Sequence, residues 1–360
     1  MDFTLTEAQR DLAGLTRRIA GEHVSDNPPG PAGTAGVDRS LWTKLASAGI
    51  LDAALPSAVG GGGFGLLEQC SVLIELGRTT APVPYLPTIT MAASALAEFG
   101  TGELLERWLV PIVRGSRIVT VALADTGSPA GFTAERDGAG WRLSGAQTAV
   151  PFAAFDGEPG GLLIEAASPE GEVLALVDAD TAGLAISRQQ VVDHADAALV
   201  EATDVRVAAV LDPPATRWLR LRGTLGVCAQ QLGVLERALE LTAGYARERT
   251  QFGQVIGAFQ AVRHRLADAY VDVEAVRLTL WQAAWRLAEG DQAADAAVAT
   301  AKYWAAEAGH RVAHTAVHLH GGVGIDVEHP VHRYFVAAKR HEFTLGGATA
   351  QLRRLGDVLA

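Results

Sequence analysis

The apolar residues of this 360-residue chain change period twice, and the two changes divide it into three stretches. In the first stretch they recur at helical spacing: Leu12, Leu15 and Ile19 fall on one face of residues 6–20, with Thr6 placed to cap the first turn. Shorter helices are expected over 41–48 and 66–77. Between them, the four consecutive glycines of 60–63 interrupt any regular element, and a Pro/Gly-rich loop is expected over 26–36. Near Pro111 the period shortens. From Arg117 to Val210 the apolar residues come in short, β-branched runs over 118–123, 141–143, 161–164, 173–177 and 184–186. Turns are expected at Asp137-Gly138, Pro159-Gly160 and Glu170-Gly171. After Asp212-Pro213-Pro214 helical spacing returns in four long segments, 218–243, 261–288, 295–319 and 331–358. The expectation is an α+β protein of three domains: helical over 1–115, β over 116–212 and a helical bundle over 213–360.

Composition removes several function classes. Hydrophobic residues make up 49% of the chain and charged residues 20%, too apolar a balance for a disordered chain. A formal net charge of −11 gives no electrostatic footprint for nucleic acid. The opening Met1-Asp-Phe-Thr-Leu-Thr-Glu7 lacks the basic region and apolar run of a secretory signal. No later segment offers about twenty uncharged apolar residues for a membrane span, so a cytoplasmic location is expected. Cys70 and Cys228 are too few for a disulfide scaffold and read as buried thiols.

Two motifs carry the chemistry. Tyr245-Ala-Arg-Glu-Arg-Thr-Gln-Phe-Gly-Gln-Val-Ile-Gly-Ala-Phe-Gln260 gathers arginines, aromatics and glycines where a helix breaks, a composition suited to holding an anionic cofactor. In His318-Leu-His-Gly-Gly322 paired glycines let backbone approach a ligand and expose its N–H groups.

Together, Arg249, Phe252, Gln260 and Gly321-Gly322 resemble the acyl-CoA dehydrogenases, flavoenzymes that oxidise the Cα–Cβ bond of acyl thioesters. The order α, β, α extends the resemblance to the whole chain. It implies a middle β-barrel or sandwich domain and a C-terminal four-helix bundle. It also implies that these residues, with His318 where the family usually has glutamine, grip the ADP half of an FAD belonging to a neighbouring subunit. Arg249 would pair with the pyrophosphate, Phe252 would pack near the adenosine half, and the glycines would admit the adenosine end.

The rest of the family's site is degraded. The flavin ring should lie against a strand similar to Ala122-Leu-Ala-Asp-Thr-Gly-Ser-Pro-Ala-Gly131 and against a Trp-Ile-Thr segment, but Gln147-Thr-Ala-Val-Pro151 carries no aromatic ring. Proton abstraction from the α-carbon needs a carboxylate. One of the family's two positions for it is occupied here by Leu345 or Gly346. At the other, on the first long C-terminal helix, there is no acidic residue between Asp212 and Glu236, and arginines stand there instead. Glu342, three residues before Leu345, is the only nearby substitute. The sequence therefore reads as a subunit of an FAD-dependent acyl-CoA dehydrogenase that has no base of its own. It would complete the FAD site of a homologous catalytic partner. The segments around 317–334 and 345–347 look like the shorter subunits of α2β2 enzymes of bacterial steroid side-chain degradation, which implies a bulky, steroid-linked acyl-CoA substrate. The alternatives are a homomeric dehydrogenase using Glu342, a non-redox enzyme on the same fold using His341 or His320, and an acyl-CoA-binding protein. His310 and His314 share a helical face but lack a carboxylate third ligand at suitable spacing, so no metal is expected.

Overall fold

The computed structural model describes residues 3–26, 36–125, 127, 129–138, 140–211 and 213–359. Most of the Pro/Gly-rich stretch, together with Asp212 and positions 126 and 128 of the expected ring-binding strand, lies outside them. Helices come first: α1 (Glu7–Asp26), α2 (Arg39–Ser47) and α3 (Leu66–Thr79), then short helical pieces at Tyr85–Ala93, α4 (Ser94–Phe99), α5 (Gly102–Leu104), Leu105–Leu109 and α6 (Val110–Val113). Eight strands follow: β1 (Ile118–Ala122), β2 (Phe132–Asp137), β3 (Gly140–Pro151), β4 (Gly160–Ser168), β5 (Gly171–Asp178), β6 (Leu184–Gln189), β7 (Ala197–Arg206) and β8 (Ala209–Leu211). The chain then returns to helix with α7 (Pro213–Glu248), a hairpin of β9 (Thr250–Gln251) and β10 (Gln254–Val255), α8 (Gln260–Ala288), α9 (Ala294–His320), α10 (Pro330–Phe343) and α11 (Ala348–Leu359).

Local chemistry accounts for several boundaries. Thr6 caps α1 as expected: its hydroxyl accepts the Gln9 N–H at 3.1 Å while the Gln9 side chain accepts the Thr6 N–H at 2.7 Å, a reciprocal capping box. Pro213 and Pro214 open α7, where a missing N–H costs nothing. The helix expected over 331–358 is in fact two. It breaks at Thr344–Gly347, where Leu345 and Gly346 turn left-handed at φ 57° and 94°. Apolar periodicity continues across the break and hides it.

By contacts the chain forms two compact units. One comprises residues 34–69 and 82–224 and holds the eight-stranded sheet, in the order β6-β7-β3-β2-β4-β5-β8 with β1 beside β4. Its core is Phe132, Leu143, Val150, Leu162, Ile164, Val173, Val200 and Val205, contributed from alternate positions along the strands. β2 and β7 escape the sequence pattern because their outward positions carry Thr133, Glu135, Glu201 and Asp204, leaving only every second residue to signal burial. Pro159-Gly160, expected as a turn, leads straight into β4.

The other unit comprises residues 1–33, 70–81 and 225–360. Arg17 pairs with Glu75 at 2.6 Å, Arg78 bridges to Glu236 and Glu240 at 2.7 and 2.6 Å, and the Tyr334 hydroxyl donates to the Arg78 carbonyl at 2.8 Å, tying α1, α3, α7 and α10 together. Lys302 of α9 is fully buried, and its Nζ donates to the carbonyls of His341 and Glu342 at 3.0 Å each. A cation at the carbonyl end of α10 satisfies groups that the helix leaves unpaired and opposes their negative dipole end.

Candidate functional site

Arg249 follows directly on α7. Its N–H still donates backwards to the Tyr245 carbonyl at 2.8 Å, while its own carbonyl accepts the Ile256 N–H at 2.8 Å and so closes the hairpin of β9 and β10. The two residues at the hairpin tip, Phe252 and Gly253, both have positive φ, 52° and 81°. That is the twist of a type I′ turn, in which glycine is at home and phenylalanine is strained. Phe252 is also 93% exposed, and its only aromatic neighbour among the described residues is Phe259, edge-on at 6.3 Å between ring centroids. A large apolar ring held in an unfavourable conformation and presented to solvent contributes little to the fold that carries it, which marks the tip as a surface for something else.

Electrostatics around the tip run against the acidic whole. Residues 245–265 contain Arg247, Arg249, Arg263 and Arg265 against the single Glu248, four positive charges less one, or +3, in a chain of net charge −11. The Arg249 guanidinium is exposed and has no partner among the described residues. Gln260 is the first residue of α8, at the end where N–H groups lack helical acceptors. Arg263, one turn on, donates to the Ala258 carbonyl at 2.8 Å and steadies this start.

Gly321 ends α9 at φ 64° and ψ −141°. A Cβ added at Gly321 or Gly322 would meet nothing within 4 Å, so the backbone there is open to a ligand. His318 is exposed one turn before. The two motifs are joined by a pair that sequence reasoning did not single out. Tyr245, four residues before Arg249, stacks on His320, the residue before Gly321, with centroids 4.4 Å apart and planes 24° from parallel. His320 is buried, its Nδ1 lies 2.8 Å from the Ala316 carbonyl, and His329 flanks it at 5.1 Å. Both residues stand in the quoted motifs, but His318 and His320 are indistinguishable until the helix phase is known.

Burial holds the His320 pKa below its ordinary 6.5, and His329 lowers it further, while the bond to Ala316 opposes both. The folded chain therefore binds fewer protons here than the unfolded chain. Stability from this packing is complete above about pH 6.5 and is lost as pH falls from there through the lower folded value. Acidification from about pH 7.5 to about pH 5.5 is expected to loosen the stack. Protection factors for amide exchange at residues 318–322, taken against the slower intrinsic exchange at lower pH, should fall, and His320→Phe should abolish that pH dependence.

At the expected position of the base, Leu345 is buried and its loop is fixed by Gln351, whose Nε2 donates to the carbonyls of Leu345 and Gly346 at 3.0 and 3.2 Å. The Glu342 carboxylate accepts from Lys339 Nζ at 2.5 Å, and the same ammonium lies 3.1 Å from His310 Nδ1. Burial pushes the Cys228 thiol up to about 12, so it stays protonated and unreactive. Both cysteines are buried.

FAD would have two parts to satisfy. Its pyrophosphate and adenosine end suit the unpaired arginine, the exposed aromatic and the open glycine backbone just described. Its ring does not suit the strands assigned to it. β3 bulges between Gln147 and Val150, and Ala149 is left-handed at φ 54°. The backbone at Leu123 and Ala124 is already bonded: Gln147 Nε2 donates to the Leu123 carbonyl at 2.7 Å, the Glu165 carboxylate accepts the Ala124 N–H at 2.9 Å, and Arg220 Nη1 donates to the Ala124 carbonyl at 2.8 Å. Arg222, the second arginine of that segment of α7, lies over the Trp218 ring at 4.0 Å.

Family models match most of the chain. Residues 6–116 match the acyl-CoA dehydrogenase N-terminal domain and residues 221–360 the acyl-CoA dehydrogenase C-terminal domain. Acyl-CoA dehydrogenase FadE27 of Mycobacterium tuberculosis is 48% identical over 375 aligned residues, covering 100% of this chain and 99% of the relative. Among solved structures, a chain of the ChsE4-ChsE5 complex from Mycobacterium tuberculosis superposes with a TM-score of 0.93 at 48% identity, covering 100% of this chain and 99% of that one. A variant of the Tcur3481-Tcur3483 steroid ACAD gives 0.90 at 43% identity, with coverage of 99% and 98%.

Proposed function

Because the chain belongs to the acyl-CoA dehydrogenase family, oxidoreductases that use FAD, we propose that it serves as the non-catalytic subunit of a heteromer and completes the FAD site of a homologous catalytic partner. The observation that carries this reading is the contrast between two places in one unit. Where a proton acceptor is needed stands the buried, apolar Leu345, and the carboxylate of Glu342, three residues before it, is engaged by Lys339. Where a nucleotide tail would lie, Arg249, Phe252, Gln260, His318, Gly321 and Gly322 stay exposed.

Bound FAD would supply the hydride acceptor for oxidation of the substrate's Cα–Cβ bond. The residues of this chain bind and orient. The Arg249 fork matches two phosphate oxygens, Gly321-Gly322 offers backbone that no side chain obstructs, and Phe252 offers an apolar face. The Tyr245–His320 stack keeps the two motifs in register. The Leu345 loop moves no proton, so the base, the ring pocket and the acyl tunnel would come from the partner. Such division of labour is compatible with two-fold assembly, since a site shared across an interface can lose its chemistry on one side and keep its contacts. The likeness to the ChsE4-ChsE5 complex and to the Tcur3481-Tcur3483 steroid ACAD supports a heteromer of two homologous chains. The latter supports a bulky, steroid-linked acyl-CoA as substrate. No helix among the described residues is long and apolar enough to cross a membrane, and a cytoplasmic site of action goes with this reading.

The test is flavin content. The chain purified alone should be colourless and inactive with acyl-CoA, and should retain FAD only when co-expressed with its partner. A yellow lone chain that reduces an electron acceptor would refute the subunit assignment.

A further inference from the structure

We infer that the Arg220–Glu165 ion pair is a plug that denies this chain a flavin-ring site of its own. The inference rests on the subunit reading above and goes on to say what holds the second site shut.

Strand β4 changes partners at Glu165. Up to Ile164 it pairs in parallel with β1, ending at Ala122 opposite Ile164, and from Ala166 it pairs in parallel with β2, starting at Phe132. The two neighbours part there, and beyond Ala122 the chain leaves the sheet, so the N–H and C=O of Ala124 have no ladder partner. The segment beyond Ala122 is the one that the family resemblance assigns to the ring.

In this chain the place is taken by its own side chains. One Glu165 oxygen accepts the Ala124 N–H, the other pairs with Arg220 Nη2, and Arg220 Nη1 donates to the Ala124 carbonyl. The three groups close a ring of hydrogen bonds around a single residue's backbone. Glu165 is 1% exposed and the Arg220 side chain 14%, so both charges are taken out of water, which is costly unless each is bonded on all sides. Gln147 bonds the next carbonyl, that of Leu123. The main-chain donor and acceptors that a ring could use are therefore spent, and the space beside them holds a guanidinium. The consequence for an assembly is one flavin for each pair of chains rather than two.

The experiment counts flavin in the co-expressed complex, by absorbance against protein, at saturating FAD. The wild-type complex should hold one flavin per pair. The variant Arg220→Ala/Glu165→Gln removes the guanidinium while the introduced amide oxygen can still accept from Ala124, and it should rise toward two per pair. The gentler Arg220→Gln, which keeps an uncharged donor for Ala124, should move the same way by less and serves if the double variant does not fold. Folding is checked by circular dichroism. A wild-type complex without flavin, or a lone chain that binds it, would overturn the subunit reading. A wild-type complex with one flavin, and folded variants that also hold one, would overturn the plug alone.

Discussion

Glu165→Leu lowers the stability of the chain by about 3–5 kcal/mol, the cost of leaving one member of a buried ion pair without its partner. The substitution is close to conservative in volume, so the loss is electrostatic: Arg220 is left charged beside an apolar group, and the Ala124 N–H loses its acceptor. Arg220→Met/Glu165→Leu removes both charges and recovers the electrostatic part of the loss, because the favourable Coulomb term and the two desolvation terms disappear together, while the Ala124 N–H and carbonyl stay unpaired. Urea unfolding of the wild type, both single variants and the double variant, followed by fluorescence, gives the coupling energy. A single variant costing less than about 1 kcal/mol would place the pair in solvent-like surroundings, contrary to its burial. The same cycle separates stability from function, since the double variant can be tested for flavin uptake while its fold is intact.

None of this pair was legible in the sequence. Arg220 and Glu165 are 55 positions apart, one on a helix and one on a strand, and nothing local to either residue signals the other. The sequence showed arginines where a carboxylate was wanted and a ring-binding strand without its aromatic. It could not show that Arg220, Glu165 and the Ala124 backbone close one ring of hydrogen bonds. Local chemistry was legible where it is self-contained. The Thr6 cap of α1 and the runs of β1, β4 and β5 each follow from neighbours in the chain. β7 was missed because burial of alternate residues only, interrupted by Glu201 and Asp204, falls below the pattern of a buried strand. The break at Leu345 was missed by periodicity because Leu345 is itself buried and adopts the left-handed turn at some cost. At the cofactor surface the motif residues could be named, but Tyr245–His320 required knowledge of which of two histidines turns inward.

Arg249→Ala should weaken retention of FAD by the assembled heteromer by roughly 10- to 150-fold. That is the factor expected from losing a charge-assisted bond worth about 1.5–3 kcal/mol. The side chain is exposed and without a partner among the described residues, so the substitution should leave secondary structure, subunit assembly and the unfolding midpoint unchanged. Arg249→Lys keeps the charge but not the fork, and should recover only part of the affinity. The loss should shrink as salt is raised, because an exposed guanidinium acting on phosphate is screened whereas the glycine backbone is not. Phe252→Ala should give a smaller loss that does not respond to salt. The measurement is flavin dissociation from the purified complex, followed by the fluorescence of released FAD across a range of salt. A complex in which Arg249→Ala leaves that dissociation unchanged would remove this turn from the cofactor site. The exposed, strained Phe252 and the local excess of positive charge would then need another ligand.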